Sequence, residues 1–189
     1  MGFKERLEKA KITEKLFIKW CIREGINYAY SGYEKLKQSP KFRDAIRKLD
    51  TITAKRIRYY PDLTIAGKKA WLTELKNSIY IEKDSYLTLI ELMKASYNVA
   101  LVNIIDNKLL TTNIEDVHFK SIDNNFLPHN HIWIYPRKQN EETYQTWLQK
   151  HSGASGTPYG VIDYDNSESI ILIKDIIEFE RISNEKKST

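Results

Sequence analysis

The sequence predicts an α/β protein, a mixed β-sheet flanked by helices, on three observations. Apolar residues between Ile12 and Glu24 recur at three-and-four spacing, the period of a helix with one buried face. Two extended segments, Arg58 to Ile65 and Ala70 to Asn77, flank Ala66-Gly67-Lys68-Lys69, a turn whose length suits an antiparallel hairpin. A helical segment and a nearly continuous apolar run follow, and strand, helix, strand in that order predicts a right-handed crossover to a parallel neighbour.

The elements follow in chain order. Ile12, Leu16, Phe17, Trp20 and Cys21 form the stripe of the first helix, with Thr13 as its N-cap and Gly25 as its stop. Ile26 to Tyr30 reads as a short strand closed by Ser31-Gly32. Ser39-Pro40 starts a second helix whose buried stripe is Phe42, Ala45, Ile46 and Leu49, leaving most of its basic residues facing outward. Pro61 implies an edge or an irregularity in the first hairpin strand. Asp84 or Ser85 caps a helix through about Ser96, with Tyr86, Leu89, Ile90 and Met93 inward, and Val99 to Asp106 is a strand covered on both faces. Further on, Val117 to Ile122 and His131 to Tyr135 are extended, Asn140 caps a helix over Glu141 to Lys150, and Tyr159 to Tyr164 is expected to pair with Ser169 to Ile173 across Asp165-Asn166-Ser167.

A chain of 189 residues supports one substantial core, so a single domain over 1–182 is expected, with a core of about 13–106, a C-terminal extension of about 107–182 and a loose tail at 183–189. Apolar residues at 41% and charged residues at 29% exclude a disordered chain. No run of eighteen apolar residues exists and the N-terminus is charged, which excludes a spanning helix or a secretory signal and implies a cytoplasmic protein. The single cysteine, Cys21, excludes an internal disulfide and reads as a buried thiol. The net charge is +5, and its distribution says more: Lys35, Lys37, Lys41, Arg43, Arg47, Lys48, Lys55, Arg56 and Arg58 face only Asp44 and Asp50. That local positive field suits a polyanion; its bland counterpart is a solvated helix face.

The chemistry concentrates in the hairpin. A period of two puts Leu72, Glu74 and Lys76 on one face of the second strand and Trp71, Thr73 and Leu75 on the other. Asp62 lies across the hairpin, where its carboxylate can converge on that of Glu74. Two neighbouring carboxylates repel, and a hard divalent cation relieves the repulsion by taking oxygen from both, which points to Mg²⁺ with Mn²⁺ as substitute. Lys76 would either position an attacking water or neutralise charge developing on a phosphoryl transition state.

Tyr59-Tyr60-Pro61-Asp62-Leu63 followed by Thr73-Glu74-Leu75-Lys76-Asn77 resembles the PD-(D/E)XK nuclease superfamily, with a literal Pro-Asp and a Glu-x-Lys. The likeness extends to element order from about Thr13 to Asp106, and the chain resembles archaeal-type Holliday junction resolvases and other small phage and restriction nucleases of that superfamily. It implies a restriction-endonuclease-like core and a Mg²⁺-dependent deoxyribonuclease, an endonuclease, with Asp62, Glu74 and Lys76 catalytic. It further implies a supporting acid from the first helix, Glu14 by position with Glu24 in reserve, and substrate contacts from Lys83, Ser85 or Tyr86. The long basic insertion from Tyr33 to Lys55 departs from the family pattern.

The expected partner is therefore DNA, duplex or branched, gripped by Lys41, Arg43, Arg47, Lys48, Arg56 and Arg58, with a homodimer suited to symmetric substrates. The alternative is a non-catalytic nucleic-acid-binding or partner-binding protein on the same fold. His129-Asn130-His131 lacks the spacing of the nuclease class that shares its letters, and Gly153, Gly156 and Gly160 lack the Gly-Lys-Ser/Thr ending of a phosphate loop. Trp133 and Trp147 are expected in the core.

Overall fold

The computed structural model describes residues 3–33, 39–120, 126–129, 133–136, 159–165 and 168–178. Helix α1 spans Phe3–Arg23, longer than its apolar stripe. Residues 3–11 are rich in Glu, Lys, Leu and Ala, so helix propensity extends it towards the N-terminus. Thr13 therefore lies within the helix, buried, and is not its cap. The stop is where expected. Gly25 takes φ 66°, its N–H donates to Ile22 O at 3.3 Å, and the Ile26 N–H donates to Cys21 O at 2.8 Å, a Schellman closure. Strand β1 (Asn27–Tyr30) follows.

The basic insertion differs from its predicted form. Ser39 caps α2 (Pro40–Lys48) by accepting from the Phe42 N–H at 3.2 Å, but of the expected stripe only Ile46 is buried, while Phe42 and Leu49 are about half exposed. A third helix, α3 (Ile52–Arg58), not foreseen from the sequence, takes Arg58, so the strand expected from there begins only at Leu63. Thr51 caps it, accepting from the Ala54 N–H at 3.2 Å, and Ala54 and Ile57 pack on Ile46 and Tyr33.

Its cations are structural. Arg58 donates to the carbonyls of Ile46 at 2.8 Å, Arg47 at 3.1 Å and Leu49 at 2.8 Å, satisfying the orphan acceptors at the end of α2. Arg56 donates to Thr88 Oγ1 at 3.1 Å and pairs with Glu91, both on helix α4 (Lys83–Lys94). Lys55 pairs with Asp50 at 3.0 Å and Asp84 at 3.4 Å. Arg58→Ala is accordingly expected to destabilise the fold by about 1–3 kcal/mol, read as a lower urea midpoint, because it strands helix-end carbonyls.

The main sheet has the order β1, β2 (Leu63–Ala66), β3 (Ala70–Lys76), β5 (Val99–Ile105), β6 (Lys108–Asn113), β11 (Glu168–Leu172). Every pairing is antiparallel except β3 with β5, which run parallel as the crossover through β4 (Tyr80–Glu82) and α4 requires. It is a mixed sheet flanked by helices. On one face Phe17 and Cys21 of α1 pack with Leu63, Val102 and Leu109; on the other Leu89 of α4 packs with Leu72, Ile81, Leu101 and Ile162. Val99 to Asn103 are buried throughout, as a strand covered on both sides must be. Burial pushes the Cys21 thiol up to about 11, which makes it a poor nucleophile.

The expected C-terminal hairpin does not form. Strand β10 (Tyr159–Asp163) pairs instead with β4, with β9 (Trp133–Pro136), itself beside β8 (Phe126–His129), and with β7 (His118–Phe119), while β11 pairs with β6. Ile162 is fully buried in the α4-side core, which draws β10 away from its sequence neighbour. The helix expected over Glu141 to Lys150, with Trp147, His131, Gly153 and Gly156, lies outside the described residues, as does the side chain of Trp133. Among the described residues no helix is long and apolar enough to cross a membrane.

Candidate active site

The Pro-Asp pair sits where the hairpin ladder ends. The ladder closes on Leu63↔Thr73, so Asp62 lies one residue beyond it, beside Glu74 and Leu75. Pro61 has no N–H to offer, and its carbonyl accepts from Ser31 Oγ at 2.8 Å. The Asp62 carboxylate turns inward and accepts from the Leu75 N–H at 3.0 Å, so a side chain completes what the backbone ladder leaves open. Its own carbonyl accepts from the N–H groups of Ser31 at 3.0 Å and Gly32 at 3.1 Å. A Cβ at Gly32 would stand 2.9 Å from Asp62 Cα and 3.2 Å from its Oδ1, so only glycine lets β1 close on this corner.

Glu74 and Lys76 project together from β3 on the face shared with Leu72, as the period of two required. Lys76 Nζ donates to Glu74 Oε1 at 2.7 Å, and the pair is largely removed from water, the side chains being 17% and 11% exposed. Ser85, in the first turn of α4, lies 3.4 Å from the ammonium and 3.5 Å from the same carboxylate oxygen. The parallel neighbour of Lys76 is the buried Asn103, whose amide donates to Ser78 O at 2.9 Å.

Electrostatics sharpen the picture. Burial, and then the charge of Glu74, push the Asp62 carboxyl up to about 7, against the pull of the Leu75 N–H and the Lys76 ammonium; Glu14 adds to the rise. Burial acts to lower the Lys76 value, but the charge and hydrogen bond of Glu74, with Asp62 and Glu82 behind them, hold it above the ordinary lysine range. Lys76 therefore stays an ammonium near neutral pH.

Other predicted site residues are distributed unevenly. Glu14 accepts from the Tyr30 hydroxyl at 3.0 Å and reaches Asp62 through its field. Among the described residues no three His, Cys, Asp or Glu side chains gather closely enough to form a ready ion cage. Lys41, Arg47 and Lys48 are exposed on α2 and Arg43 is half-buried there, whereas Arg56 and Arg58 are committed to Thr88, Glu91 and the end of α2, contrary to their expected role as phosphate contacts. Tyr86 packs edge-on against Phe119 at 5.2 Å on the α4-side core, which also departs from a substrate-facing role. From the start of α4, Ser85 meets the Glu74–Lys76 pair.

Two facing carboxylates, one costly to ionise where it stands, fit a hard divalent cation. Mg²⁺ needs only one or two protein carboxylates because it keeps several waters. Sequence reasoning missed the corner made by Ser31 and Gly32, which was legible as a turn but not as a support for a residue thirty positions on. It also missed Asn103, which carries no local signal.

No family model matches the chain, and no curated protein matches it in sequence. Among solved structures it is similar to Archaeoglobus fulgidus Hjc, a Holliday junction resolvase from an archaeal hyperthermophile, at 10% identity and a TM-score of 0.39, over 60% of this chain and 88% of that one.

Proposed function

We propose that the chain is a cytoplasmic, Mg²⁺-dependent nuclease that hydrolyses phosphodiester bonds in DNA, an endonuclease of the PD-(D/E)XK type. The observation that carries this reading is Asp62, just before β2, with its carboxylate bound to the Leu75 N–H beside Glu74 and raised by the Glu74 charge, and with the Lys76 ammonium 2.7 Å from Glu74. Asp62 and Glu74 would hold the cation, with Glu14 supporting through its charge. When bound, Mg²⁺ or Mn²⁺ supplies positive charge to the scissile phosphate and makes water more acidic.

The chain's own part is positioning and charge. Water attacks phosphorus and gives up a proton to solvent, the bond to the leaving oxygen breaks, and that oxygen takes a proton from solvent. Lys76 remains protonated, so it acts as a donor, orienting the attacking water or binding a non-bridging oxygen, and not as a base. The β1 corner fixes Asp62, and α4 brings Ser85 to the pair, so the groups are held before substrate arrives.

Incubating branched, linear duplex and single-stranded DNA side by side tests the reading: cleavage is expected in Mg²⁺ and Mn²⁺ and absent in EDTA. Undiminished cutting in EDTA would sink it. Binding in Ca²⁺ should weaken steeply with salt, and the log–log slope should become shallower by about one for each phosphate-binding cation removed when Lys41, Arg43, Arg47 or Lys48 is replaced by alanine. Arg58→Ala should leave that slope unchanged, because its guanidinium is occupied at the end of α2.

A further inference from the structure

The face of the main sheet opposite Glu74 and Lys76 holds a hollow that the reaction centre does not use. Helix α1 covers that face only in part: Phe17 and Cys21 close over Leu63, Val102 and Leu109. Beyond them the sheet changes character. The register aligns Thr73 of β3 with Ala100 of β5 and Asn113 of β6, and the next row sets Thr111 of β6 beside Glu168 of β11. Small and polar side chains thus stand where a closed core would carry large apolar ones, and a cavity of about 420 Å³ remains, with Trp20, Ile65 and Trp71 as its apolar wall. Thr73 lines it too. That residue is 1% exposed, yet its hydroxyl has no hydrogen-bond partner among the described residues. An orphaned buried hydroxyl is costly, and beside a cavity of this size it marks a place for a ligand's polar atom.

A second hollow, of about 330 Å³, shares Trp20, Ile65 and Trp71 with the first and ends at the hairpin turn with Lys68 and Lys69. Together they make one groove along the half-buried Trp71, with two exposed lysines at one end and the Thr73 hydroxyl and the exposed Glu168 towards the other. Each part has a counterpart in a nucleotide: lysines suit phosphate, an indole suits a stacked base, and a carboxylate accepts from an exocyclic amino group. A duplex keeps its bases stacked on one another, so only an unpaired strand presents all three. Two hollows in series and a pair of lysines fit a strand better than a single free nucleotide. We propose that this groove binds single-stranded DNA, with phosphates on Lys68 and Lys69, a base stacked on Trp71 and base edges directed to Thr73 and Glu168. The inference rests on the proposed function only in naming DNA as the polymer, since the groove lies across the sheet from the reaction centre and needs no metal.

The test uses the full-length chain in EDTA at mildly alkaline pH and follows the Trp20 and Trp71 indole N–H signals by NMR, assigned with Trp20→Phe and Trp71→Phe. A short oligodeoxycytidylate is expected to shift both signals, and a duplex of the same length neither. Affinities read from these shifts should be higher for oligodeoxycytidylate than for oligodeoxythymidylate, which has no amino group, and Glu168→Gln should bring the two together. Lys68→Ala and Lys69→Ala, both in an exposed turn, should each make the log–log salt slope shallower by about 0.7. Trp71→Leu, followed through Trp20, should weaken binding about 10-fold or more, the worth of one stacked base. Thr73→Val should melt no lower than the parent, because only an unpartnered hydroxyl is removed, and should bind roughly 2- to 10-fold more weakly. Unshifted indole signals, a salt slope unchanged in both lysine variants, or a lower melting temperature for Thr73→Val overturns the inference. Free deoxycytidylate binding as tightly as the strand overturns a strand as the occupant, and a ribonucleotide strand binding more tightly overturns DNA. Mg²⁺-dependent cleavage by a parent whose indole signals stay still leaves the nuclease reading and removes this one; shifted signals without cleavage do the reverse.

Discussion

Replacing Glu74 with glutamine is expected to abolish Mg²⁺-dependent DNA cleavage, by about 10³-fold or more, while binding in Ca²⁺ changes little. Glutamine keeps an oxygen that can accept from Lys76, 2.7 Å away, but removes the charge that would hold a cation. Alanine is the poorer probe. It would strand a buried ammonium at a cost of about 3–5 kcal/mol, so a loss of activity could report only a loss of fold. The measurements are single-turnover cleavage in Mg²⁺ and a DNA titration in Ca²⁺ on the same preparations. Cleavage by Glu74→Gln at the parent rate would remove Glu74 from the reaction. A non-catalytic DNA-binding protein would show binding by both forms and cleavage by neither.

The second large effect concerns stability. The Asp62 carboxyl, pushed up to about 7 in the fold, returns to an ordinary carboxyl value near 3.8 when the chain unfolds. Between those values the folded chain holds a proton that the unfolded chain has released, so stability must fall as pH rises through this window. It is fully present below the unfolded value and lost above the folded one. Each pH unit of separation is worth about 1.4 kcal/mol, so the metal-free protein should lose a few kcal/mol between pH 4.5 and 8. Lys76 does not mask the trend, because its raised value makes its own contribution disappear only at strongly alkaline pH. Asp62→Asn should flatten the profile and stabilise the metal-free chain at pH 8, and Mg²⁺ should restore the parent at pH 8 but not the variant. Urea midpoints across this range check both, and a parent that is equally stable at pH 5 and 8 would contradict the burial argument.

Much of the candidate site was legible because it depends on short-range rules. The turn at Gly67 to Lys69 and the period of two in Ala70–Lys76 dictate that Glu74 and Lys76 share a face, and the hairpin register leaves Asp62 one residue beyond the Leu63↔Thr73 pair, with its carboxylate on the Leu75 N–H. Gly25 and Cys21 behaved as expected for the same reason: a left-handed stop and a buried thiol are decided within one turn of their own helix. The fold class followed from element order, since a strand, helix, strand crossover admits few arrangements.

What the chain could not reveal locally was which long-range partners would claim each group. Arg56 and Arg58 have the composition of a DNA-binding face, but α3 turns one towards Glu91 on α4 and the other into the end of α2. Ser31 and Gly32 hold the backbone carbonyl of Asp62, thirty residues away, and β10 pairs with β4 where buried Ile162 joins the α4-side core. Sequence alone determined the candidate site groups and their alternation, because backbone geometry imposes these within a few residues. Tertiary structure alone decided which charges are spent on the fold, because that choice depends on burial and on partners distant along the chain.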